Sequence, residues 1–182
     1  MSLDELLDRC VAYHGHLCLG QALGVRLALK GMELLGTQDA KRMIVLIEND
    51  RCIADAIQIV TGTRVGRRSA KLVPLGKMAA TFLDTTTGDA WRVNVAQVEI
   101  PERHGPGAAK AVLALPEAEL LAWRRVRVEI PPMEMPGRPL RTVPCVRCGE
   151  RVFDGKDVES PEGPLCRSCA GTPYYTVVAE GA

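Results

Sequence analysis

Two Cys-x-x-Cys motifs near the end of the sequence constrain this 182-residue chain more than any other feature. They are Cys145–Cys148 and, after seventeen intervening residues, Cys166–Cys169. At this spacing four thiolates hold one tetrahedral zinc ion, and a tight turn in each half carries two of the ligands. Gly149 supplies the freedom to adopt positive φ that such a turn needs. The pattern therefore predicts a four-cysteine zinc site.

Two disulfides are the alternative use of the same four cysteines, and they require an oxidising compartment. The first five residues, MSLDE, are acidic and lack the basic start and apolar core of a signal peptide. The sequence also has no uninterrupted apolar run near the roughly 20 residues that cross a bilayer. We therefore expect a cytoplasmic protein with reduced cysteines and no membrane span.

Composition and charge narrow the class of protein. The 47% of hydrophobic residues indicates a globular core, and the length suits one domain of about 100–150 residues plus a small module. The net charge is +1, and the segment from Arg141 onward carries one more acidic than basic side chain. A segment with this charge balance is poorly suited to bind the phosphate backbone of a nucleic acid. The composition therefore disfavours nucleic-acid binding.

Hydrophobic periodicity and capping residues place the secondary structure along the chain. Ser2 followed by Glu5 has the pattern of a capping box, and the turn at residues 87–89 indicates an antiparallel hairpin. The loop that contains His104 is expected on the surface. The predicted elements are a helix that starts after Ser2 and ends near residues 13–16, a helix over 18–35 that Gly36 ends, a buried strand over 43–47, a helix over 52–60, strands over 71–75, 79–85 and 91–99, and a helix that begins at Pro116 and runs through Arg125.

A proline-rich stretch divides the chain. Residues 131–143 have the composition of a linker. We therefore predict one domain over residues 1–130, and a zinc finger with the C-terminal tail over residues 144–182.

A second group of metal-ligand residue types lies in the segment from His14 to Cys18, which also contains His16. Imidazole and thiolate suit zinc, nickel or iron, and the start of the following helix favours the thiolate. Cys52, just beyond the buried strand, is the best second thiol. The alternative is that both cysteines are core thiols and that the histidines only cap or donate hydrogen bonds.

The motifs HGHLC at residues 14–18 and END-x-C-x-x-DAIQ at residues 48–58, with Gly76-Lys77, resemble the E-subunit family of formylmethanofuran dehydrogenase. The Cys-x-x-Cys pair resembles the zinc finger that many members carry. The resemblance implies an α+β fold with an antiparallel-rich sheet, packed helices and a small zinc-ribbon-like module, assembled as a homodimer. It also implies metal ligation by His16, Cys18 and Cys52, with His14 as an alternative ligand or as a residue that orients one.

Two carboxylates flank Cys52 in the sequence, Asp50 and Asp55. If a metal binds there, they are candidates to orient a ligand or to act as a catalytic general base. The alternative is that Asp50 caps the helix and Asp55 is solvated.

A glycine-punctuated basic segment follows the predicted third helix. Guanidinium groups and free backbone amides in such a loop bind anions, although a run of this kind also occurs as a solvated face. The candidate anion-binding residues are Arg64, Arg67, Arg68 and Lys77.

Three functions are compatible with these patterns. The first is a metalloprotein whose Cys/His site catalyses or senses chemistry on a small molecule, with a small anionic substrate as a candidate, and which carries a separate structural zinc finger. The second is a non-enzymatic accessory or adaptor of a molybdenum- or tungsten-dependent oxidoreductase. The third is a nucleic-acid-binding regulator, which the charge balance disfavours. Three protein ligands with an open position favour catalysis, whereas four favour structure or sensing, so the sequence leaves open whether the protein is an enzyme.

Overall fold

The computed structural model describes residues 1–97 and 105–179. The chain divides into two compact units, Met1–Glu129 and Ile130–Ala182. The stretch predicted as a linker, residues 131–143, falls within the second unit. His104 and the last residues of the strand predicted over 91–99 lie outside the described residues.

The first unit combines helices with one sheet. A short 3-10 turn, Val65–Arg67, follows the third helix. The helices are α1 Leu3–His14, α2 Leu19–Leu35, α3 Cys52–Thr61, α4 Gly105–Ala114 and α5 Glu117–Leu120, and the strands are β1 Met43–Ile47, β2 Ala70–Leu72, β3 Ala79–Asp84, β4 Ala90–Val95 and β5 Leu121–Val126.

The five strands of this sheet lie in the order β2-β1-β3-β4-β5. Only the β1–β2 pair is parallel among them, and the other three pairs are antiparallel. The prediction of an α+β fold with an antiparallel-rich sheet is therefore confirmed.

Helix α1 begins and ends as its sequence predicts. The backbone N–H of Glu5 donates to the Ser2 hydroxyl at 3.2 Å, and the Ser2 N–H donates to the Glu5 carboxylate at 2.6 Å. These reciprocal bonds satisfy amide groups that have no partner inside the helix. At the other end Gly15 adopts φ 95°, a left-handed conformation that suits glycine and turns the chain toward α2.

Helix α2 approaches α3 closely because glycines face it. A Cβ atom at Gly20 would lie 2.9 Å from the Cys52 Cβ, and one at Gly24 would lie 2.6 Å from the Ala56 Cβ. Side chains at these two positions would force the helices apart. The close approach places the start of α2 beside the start of α3, where Cys18 and Cys52 lie.

The prediction of a helix from Pro116 through Arg125 is wrong for most of that segment. Only Glu117–Leu120 is helical, and Leu121–Val126 forms β5, which pairs with β4. Pairing satisfies the backbone groups at the edge of β4, and this long-range gain outweighs the local helix propensity. Helix α4 lies in a segment for which the sequence patterns predict no helix.

The second unit contains a 3-10 turn, Pro132–Glu134, and two small hairpins. The first Cys-x-x-Cys motif connects β6 to β7, and the second directly follows β9. This arrangement is compatible with the predicted zinc-ribbon-like module. The strands are β6 Thr142–Pro144, β7 Arg151–Phe153, β8 Val158–Ser160 and β9 Gly163–Leu165.

Among the residues that the structure describes, no helix combines the length and the apolar character needed to cross a bilayer.

Candidate metal centres

Three ligand side chains meet where the first three helices come together. His14 is the last residue of α1, Cys18 is the N-cap of α2 and Cys52 is the first residue of α3. One ligand atom from each lies within 4.8 Å of the others. The structure therefore brings the two predicted thiols together with a histidine.

The dimensions of this cluster suit a metal ion. The Cys18 Sγ lies 4.0 Å from the His14 Nε2. In a tetrahedral zinc site, bond lengths of about 2.0–2.3 Å place neighbouring ligand atoms about 3.6 Å apart. Small side-chain adjustments would close the three atoms around an ion.

The histidine in the cluster is His14, which sequence reasoning named as the alternative to His16. The ring of His16 lies beside that of His14, with centroids 4.9 Å apart, but His16 is outside the group of three ligands. Ligation by His16 stays a prediction from family resemblance, and the geometry favours His14.

Asp55 holds the His14 ring in place. The distance from His14 Nδ1 to the Asp55 carboxylate is 2.8 Å, which leaves Nε2 on the side of Cys18. A carboxylate bound to the second nitrogen of a metal-ligating histidine fixes its tautomer and increases its basicity. This contact fits the orienting role that is one of the two predicted for Asp55.

Asp50 occupies a different environment. It is exposed and lies outside the ligand cluster. The N-cap of α3 is Arg51, and no side chain forms a capping hydrogen bond there. Asp50 is therefore neither the helix cap nor the partner of His14.

We expect Asp55→Ala to weaken metal binding at the His14 cluster by about 10–100-fold, the usual effect of removing a carboxylate that orients a ligand. Asp50→Ala removes an equal charge two residues before Cys52 in the sequence and should leave the affinity nearly unchanged. Titration against a chromophoric chelator measures both affinities. Equal losses in the two variants would show that charge alone, rather than orientation of His14, sets the affinity.

Burial and the nearby Cys18 thiol raise the pKa of the Cys52 thiol above its ordinary value. Without a cation, Cys52 is therefore protonated at neutral pH. A bound metal ion would offset both effects, because it neutralises two thiolates in one place.

Gln21 supports Cys52 and was missed by sequence reasoning. Its side chain is fully buried, and its Nε2 donates to the backbone oxygen of Cys52 at 2.7 Å. An amide-bearing residue three positions after Cys18, on the apolar side of α2, was the signal available in the sequence.

A partly buried ion pair supports the loop that leads to Cys52, and it was also missed. Glu48 accepts two hydrogen bonds from Arg92, at 2.6 and 2.7 Å, and raises the pKa of Arg92 above its ordinary value. The next residue, Asn49, accepts the backbone N–H of Arg51 at 2.9 Å. A carboxylate directly after an apolar strand was the signal for a buried cationic partner.

The second cluster contains all four cysteines of the Cys-x-x-Cys motifs. Their sulfur atoms lie within 4.8 Å of one another, and the Cys148 and Cys166 sulfurs are 3.9 Å apart. Hydrogen bonds from the backbone N–H groups of Cys148 and Cys166 lower the pKa of Cys145 to about 6. The Cys166 thiol in turn raises the pKa of Cys169. Four crowded thiols of this kind suit one thiophilic ion.

The four residues predicted to bind an anion have different surroundings. Arg64 lines a cavity next to α1, whereas Arg67 is exposed on the 3-10 turn and Arg68 ends that turn with φ 61°. The backbone N–H of Lys77 donates to the Glu48 oxygen, at the end of β1. Binding of an anion by all four residues together stays an untested prediction.

Known proteins resemble this chain over most of its length. A protein from Archaeoglobus fulgidus, named a probable S-adenosyl-L-methionine-binding protein, is 29% identical over 216 aligned positions. The alignment covers 98% of this chain but 56% of that protein, so the chain spans about half the length of this relative.

A solved structure shares the fold. It is a tungsten formylmethanofuran dehydrogenase FmdE-like protein from Syntrophus aciditrophicus, with a TM-score of 0.69 and 22% sequence identity. The match covers 97% of this chain and 96% of that one. Residues 13–123 also match the family FmdE, described as molybdenum formylmethanofuran dehydrogenase operon. Because this match spans more than half of the sequence, the chain belongs to the FmdE family.

Proposed function

We propose that this protein is a metalloprotein with two separate sites. His14, Cys18 and Cys52 hold the ion that acts on a small molecule, and the four C-terminal cysteines hold a structural zinc. The observation that supports the first site is the approach of its three ligand atoms to within 4.8 Å. No fourth His, Cys, Asp or Glu joins them within residues 1–97 and 105–179.

The donor set suits the ion that family resemblance implies. One imidazole and two thiolates are ligands for zinc, nickel or iron. Catalytic zinc sites use three protein ligands and keep the fourth position for water or substrate, whereas structural sites use four. The two clusters of this chain have those two ligand counts, which favours catalysis at the first and structure at the second.

A zinc ion at the first site would polarise a substrate oxygen or lower the pKa of bound water to about 7. The residues of the chain have the remaining roles. Asp55 orients His14, a role that the 2.8 Å contact between them supports. Asp50 is exposed and lies two residues before Cys52 in the sequence, and it is the candidate general base.

Cobalt(II) substitution tests the proposed site, because cobalt replaces zinc and its absorption reports the ligands. We expect azide to change the spectrum of the wild-type protein, since an open position accepts an added ligand and the four-cysteine site does not. His14→Ala should remove the azide-sensitive part of the spectrum, and His16→Ala should retain it.

The opposite result for the two histidines would assign ligation to His16, as the family resemblance implies. A spectrum that azide leaves unchanged in the wild-type protein would contradict an open catalytic site.

An accessory role is the second candidate function. The description of the family names a molybdenum formylmethanofuran dehydrogenase operon, which supports an oxidoreductase partner. A closed N-terminal site, with no response to azide, would favour this role. Co-purification with an oxidoreductase encoded beside the gene tests it.

The relative from Archaeoglobus fulgidus adds S-adenosyl-L-methionine to the ligands worth testing, since its name describes that binding. Homodimerisation and a cytoplasmic location remain predictions from the sequence and the family resemblance.

A further inference from the structure

A cavity of about 390 Å³ lies in the first unit, between α1 and the loop that follows α3. This volume is within the range of small-molecule sites. Two guanidinium groups line the cavity, and the other lining groups are apolar or neutral and polar. The lining residues of the helices are Arg9, Tyr13, Gln58 and Ile59, and those of the loop run from Gly62 to Gly66.

Two lining residues of the cavity are close in sequence to the His14–Asp55 pair, although neither member of that pair lines the cavity. Tyr13 directly precedes His14 on α1, and Gln58 follows Asp55 by three residues on α3. Three residues of helix correspond to a rise of about 4.5 Å. The cavity therefore begins about one helical turn from the His14–Asp55 contact.

The charge of the lining favours an anion. Arg9 and Arg64 both line the cavity, and no carboxylate does. Within the described part of the chain, neither arginine forms an ion pair with an acidic side chain. The Arg9 guanidinium donates to the Met1 sulfur at 3.3 Å, which is a weak acceptor. Two guanidinium groups at one cavity, without a carboxylate partner in that part of the chain, are suited to bind an oxyanion.

The loop that carries Arg64 is held in a defined conformation. The Arg64 backbone N–H donates to the Ser69 hydroxyl at 3.0 Å, and its oxygen accepts the N–H of Ala70 at 3.1 Å. Gln58 bridges the loop to α3, accepting from the Val65 N–H at 3.2 Å and donating to the Ala54 oxygen at 3.2 Å. The backbone of Arg64 is thus held in place before a ligand arrives, which reduces the entropy cost of ordering the loop on binding.

We infer that this cavity binds a small molecule through a carboxylate or phosphate group, which Arg9 and Arg64 hold. The apolar part of the molecule lies against Tyr13 and Ile59. This molecule would be the substrate of the metal site, and that further assignment rests on the proposed function. Binding of the oxyanion does not depend on that function.

Isothermal titration calorimetry of the full, metal-loaded chain tests this inference. Phenyl phosphate and benzoate are the probes, because each joins an aromatic ring to one oxyanion and the pair distinguishes phosphate from carboxylate. Benzamide is the neutral control. We expect one of the anions to bind and benzamide not to bind. The variant Arg9→Gln/Arg64→Gln should weaken binding by at least about tenfold, since charge-assisted hydrogen bonds are lost.

Two further variants keep the test specific. Arg67→Gln removes the same charge from the same loop, but its side chain is outside the lining and binding should persist. Gly66→Tyr should block the cavity while both arginines remain, and the backbone tolerates it because a Cβ there meets nothing within 4 Å.

Failure of both anions to bind the wild-type protein would overturn the inference, as would an equal loss in Arg67→Gln. The variant Cys18→Ser/Cys52→Ser separates the inference from the proposed function. Retained binding in that variant supports the arginine site whatever the metal does. Loss of binding in it would mean that the metal, and not the arginines, holds the anion.

Discussion

Replacement of Cys148 by serine is expected to lower the zinc content by about one ion per chain and to unfold the second unit. In its described part, the buried hydrophobic residues are only Cys145 and Leu165. So little buried apolar surface does not offset the entropy of ordering the chain. We therefore expect metal binding to supply most of the folding free energy of this unit, as it does in zinc fingers.

Metal analysis and limited proteolysis measure this effect. In Cys148→Ser, protease should cleave within the segment that follows Pro139, while the first unit stays resistant. Ser168→Ala, a substitution inside the second Cys-x-x-Cys motif that removes no thiol, should keep both the zinc and the protease resistance. An unchanged zinc content in Cys148→Ser would exclude the four-cysteine site.

The double variant Cys18→Ser/Cys52→Ser is expected to lose one metal equivalent and to keep the other. Both thiols of the first cluster are removed, and a hydroxyl is a much weaker ligand for a thiophilic ion. The two clusters share no residue, so the C-terminal site should be unaffected.

Cys10→Ala is the matched control for this variant. Cys10 is fully buried, burial raises its pKa to about 11, and it is outside both ligand groups. Its replacement should lower stability through the lost packing but leave both metal equivalents in place. If the double variant retains the full metal content, the first cluster is not a metal site, and the proposed enzymatic function fails with it.

Local chemistry was enough to predict several elements of the fold. The capping box of Ser2 and Glu5 determines the start of α1, and Gly36 ends α2 in a left-handed conformation with φ 66°. The apolar run of β1 is a strand with the predicted bounds. These features depend on neighbouring residues, so the sequence pattern contains the physical information.

The segment Leu121–Val126 shows where such reasoning fails. Its residues are compatible with a helix that continues from α5, and the sequence does not reveal that an edge of β4 needs a partner. Pairing between β4 and β5 joins residues about 30 positions apart. A contact of this kind is decided by the packed structure and not by local propensity.

The sequence by itself determined which thiol and imidazole groups are available as metal ligands, because their spacing along the chain is a local property. Only the tertiary structure decided which groups meet. The close packing of α2 on α3 at Gly20 brings Cys52 to Cys18. Contact between α1 and α3 pairs Asp55 with His14, which leaves His16 outside the cluster. Which of these residues meet depends on how helices distant in sequence pack together, and hydrophobic periodicity carries no information about that packing.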